Sequence, residues 1–333
     1  AVSLDSADSL SKIDHWVSTR SIDIDNVLAG GRPRPCSLMP FGRQIEVSGP
    51  PDAGKTTLCA QTAAEVQQQG GLVIVTDTEE RIDHAYWRAL GVDTSRVLNL
   101  RADTIEEVFE KQYDAIRLMQ AKAPDRLMLM LWDSVGGTSS GLVLDDDPKK
   151  QETFMERAQK QMGREAKLIG DGIKGLSGLV SKSRVCYIYT NHEYHKIGVT
   201  YGSNRETYGG NKLKFYATVR LQLTPIGMIK DEDAMGNKRE LGSRIRVRAL
   251  KNSMAPMRMQ KDAVIIGGEG FSNKYTVWEA GAKLKLIAKS GGWSTWKTPA
   301  GEEIKFQGWS GFCDKVVTHA EYPELEAAVI EAL

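Results

Sequence analysis

The residues Gly49-Pro50-Pro51-Asp52-Ala53-Gly54-Lys55-Thr56 match GxxxxGK[ST], a pattern typical of loops that bind nucleotide phosphates. The apolar run Ile45 to Ser48 precedes the motif, and a segment of helical character, Thr57 to Gln69, follows it. A strand, a glycine-rich loop and a helix in this order direct backbone N–H groups at phosphate oxygens. The motif therefore predicts an ATP site, with residues Gly49 to Thr57 around the nucleotide.

Two side chains of the motif and one later carboxylate predict a site that uses Mg²⁺. Lys55 would reach the β and γ phosphates, and the Thr56 hydroxyl would ligate the metal. The run Leu129-Met130-Leu131-Trp132-Asp133 is an apolar strand that ends in a carboxylate, the Walker B pattern. Asp133 would hold the metal through water at the carboxyl end of its strand. We therefore expect ATP and Mg²⁺ as cofactors.

A candidate general base follows the predicted strand Leu72 to Thr76, the first strand after the glycine-rich loop and its helix. Glu79 ends the stretch Thr76 to Glu79, where a carboxylate could orient the attacking water. A solvated surface carboxylate is the alternative, and Glu80 is adjacent. His192 lies at the end of another apolar run, where it is either a sensor of the γ-phosphate or a histidine satisfied within the core.

The wider pattern predicts an α/β fold with a mainly parallel sheet. Segments of helical period separate four apolar runs that we expect to form buried strands: Ile45 to Ser48, Leu72 to Thr76, Leu127 to Trp132 and Val185 to Thr190. Thr104 and Glu107 have the spacing of a capping box at a helix start. Val219 to Leu223 and Ile245 to Ala249 alternate with period two, which predicts an antiparallel pair at the sheet edge.

The composition indicates a soluble globular protein, with 41% hydrophobic and 26% charged residues among 333. No apolar run is long enough to span a bilayer, and Ala1 to Lys12 lack the pattern of a secretory signal. The four cysteines form no CxxC pair, which suits a reducing cytoplasm.

The net charge of +1 hides a basic block. Lys182 to Lys261 contains sixteen Lys and Arg residues against six Asp and Glu residues, a local balance of +10. Such a block predicts an anionic partner, although a solvated strand surface has the same composition. Within it, the glycine- and tyrosine-containing stretch Glu193 to Lys212 has the character of a loop that follows a phosphate backbone, with an ordinary surface loop as the alternative.

Together these stretches resemble the bacterial RecA family. The segment Asp77 to Tyr86 is similar to the family's segment around its catalytic glutamate. Lys196-Ile197-Gly198-Val199, Gly209-Gly210-Asn211 and Leu213 to Leu221 are similar to its second DNA-binding loop and the strand that follows. The resemblance extends from about Trp16 to a tail similar to the RecA C-terminal domain.

The resemblance implies a RecA-like P-loop ATPase core with a small C-terminal α/β domain. We expect residues 1–15 to be a short leader, residues 16–270 the core with two DNA-binding loops, and residues 271–333 the C-terminal domain. The implied function is that of an ATP-dependent recombinase, a DNA-dependent ATPase that forms a helical filament on single-stranded DNA. It would then pair this strand with homologous duplex DNA, in the cytoplasm of a bacterial cell or of a phage-infected bacterium.

Roles at the nucleotide follow from the same resemblance. Glu79 is assigned as the general base, Tyr86 as the aromatic residue that stacks on adenine, and Asp83 as its polar neighbour. His192 occupies the sensor position. Lys251 matches a lysine that reaches the ATP of the neighbouring protomer. With Lys55, these residues make up the expected catalytic and nucleotide-binding set.

The resemblance places one DNA-binding loop near Asp147 to Met162 and the other from Glu193 to Asn211. Lys167 and Lys174 match basic positions that contact phosphates, and Ile197 matches an aliphatic residue that wedges between groups of bases. The residues expected to contact DNA are Met162, Lys167, Lys174, Lys196, Ile197, Gly198, Val199, Arg205, Gly209, Gly210, Asn211 and Lys212.

The sequence also departs from bacterial RecA. His192 stands where bacterial RecA has glutamine, and phage recombinases of the UvsX kind also have histidine there. Ser253 replaces a second interface lysine, and the leader before Trp16 is short. These departures favour a phage or otherwise divergent recombinase.

Two other classes share parts of this pattern. A hexameric helicase has the same ATPase core but usually carries a separate N-terminal domain. A non-catalytic RecA paralogue that regulates filaments would commonly lose the base or a DNA loop, whereas Glu79 and both loops are present. The shape of the particle, whether helical filament, closed ring or monomer, distinguishes the three.

Overall fold

The computed structural model of the protein describes residues 13–32, 38–141, 154–195, 205–232 and 238–333. The strands in these ranges are β1 (Trp16–Val17), β2 (Met39–Pro40), β3 (Arg43–Gly49), β4 (Leu72–Asp77), β5 (Val97–Asn99), β6 (Met128–Asp133), β7 (Val185–His195), β8 (Arg205–Thr207), β9 (Val219–Glu232), β10 (Lys238–Asn252), β11 (Gln260–Ile266), β12 (Gly270–Phe271), β13 (Ile287–Ser290), β14 (Trp293–Lys297) and β15 (Glu303–Phe306). The α-helices are α1 (Ile22–Ala29), α2 (Lys55–Gln68), α3 (His84–Ala89), α4 (Ile105–Lys122), α5 (Phe154–Val180), α6 (Gly210–Tyr216), α7 (Asn273–Lys283), α8 (Gly308–Phe312) and α9 (Tyr322–Ala332).

The large sheet has the strand order β12-β11-β10-β9-β3-β7-β6-β4-β5. From β9 to β5 all neighbouring strands are parallel, and from β9 to β12 they are antiparallel. The predicted fold class is therefore confirmed, as is the antiparallel pair, which is β9 with β10. The prediction that this pair lies at the sheet edge is wrong, because β11 and β12 add two further strands outside it. The carboxyl ends of β3, β4, β6 and β7 meet at one edge.

The strand that leads into the glycine-rich loop is buried on both faces. Ile45 and Val47 of β3 are fully buried, and they share an apolar cluster with Leu58, Ala60 and Ala63 of α2. Burying a large aliphatic side chain contributes roughly 1.5–3 kcal/mol, so this cluster fixes the elements on both sides of the loop. The small alanine side chains let α2 lie close to the sheet.

Two helices, α4 and α5, cover the opposite face, and α4 begins at the predicted cap. Thr104 caps α4 by accepting a hydrogen bond from the N–H of Glu107 at 3.2 Å, and the Glu107 carboxylate accepts from the N–H of Asp103 at 3.3 Å. In α5, a Cβ atom added at Gly172 would lie only 2.3 Å from the ring of Phe109. The glycine therefore permits the close approach of α4 to α5.

After β12 the chain forms α7, the antiparallel sheet β13-β14-β15, α8 and α9. Its apolar cluster contains Trp309 and Phe312 and also Ile22 of α1, Ile229 of β9 and Val264 of β11. This part of the chain therefore packs directly on the antiparallel side of the large sheet. The division into parts at residue 271 stays a prediction, and Phe271 pairs with Ile265 in that sheet.

Helix α1 is joined to α7 by hydrogen bonds between residues far apart in sequence. The N–H of Ile22 donates to Oδ1 of Asn273 at 2.8 Å, and Oγ1 of Thr276 donates to Oδ2 of Asp23 at 2.6 Å. Arg244 of β10 adds an ion pair with Glu279 of α7, with Nη1 and Oε2 at 3.0 Å. Helix α1, near the start of the chain, thus packs against α7, which begins 251 residues later.

Candidate nucleotide site and DNA-facing surface

The glycine-rich loop joins β3 to α2 through a backbone that requires its glycines. Gly54 has φ +85°, in the left-handed region, and a Cβ atom there would lie 2.4 Å from Cδ1 of Ile265. A Cβ atom at Gly49 would lie 2.4 Å from the carbonyl oxygen of Leu223. Both positions therefore exclude side chains, and strands β9 and β11 confine the loop from the antiparallel side.

Lys55 begins α2 and is buried at the loop. Its Nζ donates to the carbonyl oxygens of Gly49 at 3.0 Å and Pro50 at 2.9 Å. Burial lowers the pKa of Lys55, an effect that the carboxylates of Asp133 and Glu79 oppose. The ammonium group is therefore held inside the loop by two carbonyl groups, which phosphate oxygens can replace as acceptors.

The two residues predicted to hold Mg²⁺ are in direct contact. Oγ1 of Thr56 donates to Oδ2 of Asp133 at 2.7 Å, and Oγ1 of Thr190 donates to Oδ1 at 2.5 Å. Burial raises the pKa of Asp133, and the two hydroxyl donors oppose this. One hydroxyl and one carboxylate fit Mg²⁺, which proteins bind through one or two carboxylates together with substrate phosphates.

Glu79 lies between two donors that reach the same oxygen. Its Oε1 accepts from Oγ of Ser134 and from Nε2 of His192, the latter at 2.6 Å, while Oε2 lies 3.5 Å from Nη1 of Arg81. Burial alone would raise the pKa of Glu79, but the hydrogen bonds from Ser134 and His192 outweigh it and hold the pKa below its ordinary value. Glu79 is therefore a carboxylate at neutral pH.

These residues line one cleft of about 370 Å³ at the carboxyl edge of the sheet. The loop from Pro51 to Thr57 forms one wall, and Glu79, Asp133 and His192 face it. The structure thus brings together Lys55, Thr56, Glu79, Asp133 and His192. The sequence analysis missed Ser134, which follows Asp133 directly, and Thr190, the last residue of a predicted strand. Both are polar residues at strand ends, the signal that could have identified them.

The predicted adenine residues lie beside the loop helix. The Tyr86 hydroxyl is 3.1 Å from Oγ1 of Thr57, and the ring packs against the core. The Asp83 carboxylate caps α3, accepting from the N–H groups of Ala85 at 2.8 Å and Tyr86 at 3.1 Å. Asp83 therefore fixes the backbone that carries Tyr86.

Lys251 lies outside the cleft. Its Nζ donates to the carbonyl oxygens of Lys214 at 3.1 Å and Phe215 at 2.7 Å, at the end of α6. On the sheet it pairs with Arg220, which pairs with Glu46, three residues before Gly49 on β3. Within one protomer the side chain of Lys251 is thus directed to α6 and not to Lys55.

Three lysines predicted to contact DNA surround Asp171 on α5. Lys212 of α6 forms an ion pair with Asp171, and Lys167 and Lys174 lie one turn to either side. The hydrogen bond from Lys212, together with the charges of the three lysines, holds the pKa of Asp171 below its ordinary value. We call Lys167, Lys174 and Lys212 the lysine cluster. It is exposed to solvent.

The structure describes only some of the remaining residues predicted to contact DNA. Gly209 and Gly210, both with positive φ, begin α6, and Asn211 is exposed next to them. Arg205 of β8 lies 3.4 Å from Oε2 of Glu193. Other predicted DNA residues lie outside the described part of the chain: Lys196, Ile197, Gly198, Val199 and residues 147–153 of the stretch from Asp147 to Met162. The side chain of Met162 is likewise outside the described part.

The basic block is more neutral than its composition indicates. Among the described residues, six of its arginines have carboxylate partners, and four of these partners lie outside the block. The pairs are Arg184 with Asp125, Arg205 with Glu193, Arg220 with Glu46, Arg239 with Asp231, Arg244 with Glu279 and Arg246 with Asp262. The local balance of +10 therefore overstates the charge that this surface offers to an anionic partner.

Comparison with known proteins identifies the family. A family model described as the RecA N-terminal domain matches residues 3–272. The chain belongs to the RecA family. Protein RecA of Parvibaculum lavamentivorans is 37% identical over 283 residues, which are 85% of this chain and 70% of that protein. Protein RecA of Allorhizobium ampelinum is 35% identical over 85% of this chain and 71% of its own length, and that of Borreliella afzelii is 34% identical over 83% and 70%.

Membership of the RecA family confirms the predicted ATP-dependent recombinase and DNA-dependent ATPase. None of these matches favours the helicase or the non-catalytic paralogue. Across the part of the chain that the structure describes, no helix is long and apolar enough to cross a membrane.

Proposed function

We propose that this RecA-family protein forms a helical filament on single-stranded DNA, hydrolyses ATP with Mg²⁺ and pairs the bound strand with homologous duplex DNA. The observation that carries the proposal is the convergence of Lys55, Thr56, Glu79, Asp133 and His192 on one cleft. Phosphoryl transfer needs this set of groups, because most of its catalysis is positioning and stabilisation of charge.

In this proposal the loop and Lys55 bind the phosphates. The Lys55 ammonium replaces its present carbonyl partners with phosphate oxygens, and the N–H groups at the start of α2 donate to other phosphate oxygens. Thr56 and Asp133 would hold Mg²⁺, which when bound neutralises charge on the β and γ phosphates. Tyr86, whose hydroxyl lies 3.1 Å from Oγ1 of Thr57, would stack on the base.

Glu79 acts as the base that orients the attacking water. Its low pKa keeps it ionised, and Ser134 and His192 fix the direction of the carboxylate. His192 also faces the loop, so it can exchange its hydrogen bond with Glu79 for one to the γ-phosphate. That exchange would remove one of the two donors from Oε1 of the base when ATP is bound.

DNA binds at the lysine cluster and along the second loop, Glu193 to Asn211. The ion pair of Lys212 with Asp171 is exposed, with 45% and 48% of the two side chains accessible. Solvent-exposed ion pairs stabilise a protein only slightly, so a phosphate can replace Asp171 at little cost. Lys251 completes the ATP site of the neighbouring protomer, the role that the family resemblance implies, and its contacts at the end of α6 keep it away from Lys55 of its own protomer.

Electron microscopy of the protein with single-stranded DNA and a slowly hydrolysed ATP analogue tests this proposal. We expect helical filaments that require both DNA and nucleotide. Closed rings would support the helicase alternative, and monomers that bind neither DNA nor nucleotide would contradict the proposed function. The bacterial cytoplasm as the place of action, and a phage or divergent origin, are part of the same proposal.

A further inference from the structure

Two glycines on the turn after β6, Gly136 and Gly137, lie close to side chains of the cleft and of the predicted DNA loop. A Cβ atom added at Gly137 would lie 2.9 Å from Cγ of Glu79. A Cβ atom added at Gly136 would lie 3.3 Å from Cδ2 of Tyr208 and 3.7 Å from Cδ2 of His192. Neither glycine has a positive φ, so alanine suits the backbone at both positions and its effect comes from these contacts. Gly136 therefore borders both the Tyr208 ring and the His192 ring.

The backbone of Tyr208 is fixed to the residue that precedes His192. The Asn191 side chain accepts from the N–H of Tyr208 at 3.2 Å and donates to its carbonyl oxygen at 2.9 Å. Asn191 is fully buried and also donates to Glu46 at 3.0 Å. The backbone of Tyr208 is therefore tied to the end of β7 that carries His192.

Tyr208 also belongs to the stretch predicted to contact DNA. It directly follows β8, which pairs with β7 through Glu193 with Thr207. Its ring lies 5.3 Å from that of Tyr194, measured between centroids, and the two side chains are 49% and 40% exposed. Tyr208 is thus half exposed within the stretch predicted to contact DNA, and its ring also lies next to Gly136.

We propose that Tyr208 is a positioning residue that couples DNA at the Glu193 to Asn211 loop to the hydrogen bond between His192 and Glu79, with Gly136 as the seat of its ring. This inference rests on the proposed function of that loop and of Glu79. The Nε2–Oε1 distance of 2.6 Å leaves little tolerance, because hydrogen bonds weaken steeply with misalignment. In this assignment the Tyr208 ring on Gly136 sets the position of the neighbouring His192 ring and so the direction in which it donates to Glu79.

The coupling is measured as the ratio of ATP turnover with saturating single-stranded DNA to turnover without DNA. We expect Tyr208→Ala to lower this ratio at least about fivefold, the lower range of measured couplings between sites, with the KM for ATP unchanged. Tyr208→Phe keeps the ring on Gly136 and should retain the ratio of the unmodified protein. Because the side chain is half exposed, thermal melts of both variants should match that protein.

A double-mutant cycle tests the seat itself. Gly136→Ala should lower the ratio in the unmodified protein, because its methyl group meets the Tyr208 ring, and should have no further effect when combined with Tyr208→Ala. Gly178→Ala on α5 is the control, since a Cβ atom there has no neighbour within 4 Å. Additive effects of Gly136→Ala and Tyr208→Ala would overturn the assignment of the seat.

An unchanged ratio in Tyr208→Ala would overturn the coupling. So would a change in DNA affinity alone with the ratio at saturation intact, because Tyr208 would then be only a stacking surface for bases. Failure of the proposed function is seen separately, in the unmodified protein, as turnover that DNA does not stimulate.

Discussion

The nucleotide cleft and the lysine cluster around Asp171 use charged side chains in different ways. In the cleft, Lys55 and Asp133 are held by two partners each, and burial shifts their pKa values. At the cluster, Lys212 meets Asp171 in solvent. The charged groups of the cleft are thus held in place by several neighbours, whereas the lysines proposed to bind DNA are exposed to solvent.

The largest expected effect lies in the cleft. Glu79→Gln should retain ATP binding and slow hydrolysis by about 10²–10⁴-fold, the usual contribution of a positioned base. Turnover and nucleotide binding are measured on the same preparation. Glu80→Gln is the matched control, because Glu80 is the adjacent, exposed carboxylate, and it should leave turnover unchanged. Equal turnover in the Glu79 variant would remove this residue from the mechanism.

The second prediction concerns a lysine outside the cleft. Lys251→Ala should bind ATP but lose about 10²-fold of DNA-stimulated turnover, comparable to removing one group that stabilises charge in the transition state. Mixing it with Lys55→Ala should restore some activity, since hybrid interfaces pair an intact loop with an intact Lys251. No recovery in mixtures that demonstrably co-assemble would contradict a shared site.

A third experiment examines how firmly the base is held. Ser134→Ala removes a donor to Glu79, so the pKa of Glu79 should rise from its lowered value. The active form is the carboxylate, which is lost as the pH falls through its pKa. The acid limb of the turnover–pH profile should therefore move to higher pH. An acid limb that stays in place would show that Ser134 does not set the ionisation of Glu79.

The smallest effect is expected at the exposed charges. Replacing Lys167, Lys174 and Lys212 together by Ala should reduce the slope of log affinity for single-stranded DNA against log salt by about 0.7 for each phosphate that these lysines bind. Lys122→Ala, an exposed lysine at the end of α4, is the control. Asp171→Asn should strengthen binding, because it removes a competing carboxylate. An unchanged slope in the triple variant would separate the cluster from DNA.

The sequence predicted features that depend on neighbouring residues in the chain better than features that depend on contacts between distant residues. The loop at Gly49 to Thr56 and the strand ending at Asp133 are local patterns, so the fold class and the residues that meet in the cleft could be predicted from the sequence. Ser134 and Thr190 were missed because their roles depend on which strands become neighbours. The ion pairs of Arg220 and Arg244 join residues distant in sequence, so counting charges overstated the basic surface. The period-two alternation in β9 and β10 likewise could not predict that β11 and β12 lie outside them in the sheet.

The hydrogen bond from Ile22 to Asn273 also has a consequence for the order of folding during synthesis. The two residues are 251 positions apart, so α1 leaves the ribosome long before its partner exists. At about 5–20 residues per second, the start of α1 waits roughly 13–50 s for Asn273. Throughout that interval Ile22, which is buried in the finished protein, lacks the surface of α7 that will cover it. Nascent chains stalled before Asn273 should therefore expose this end of α1 to proteases and chaperones.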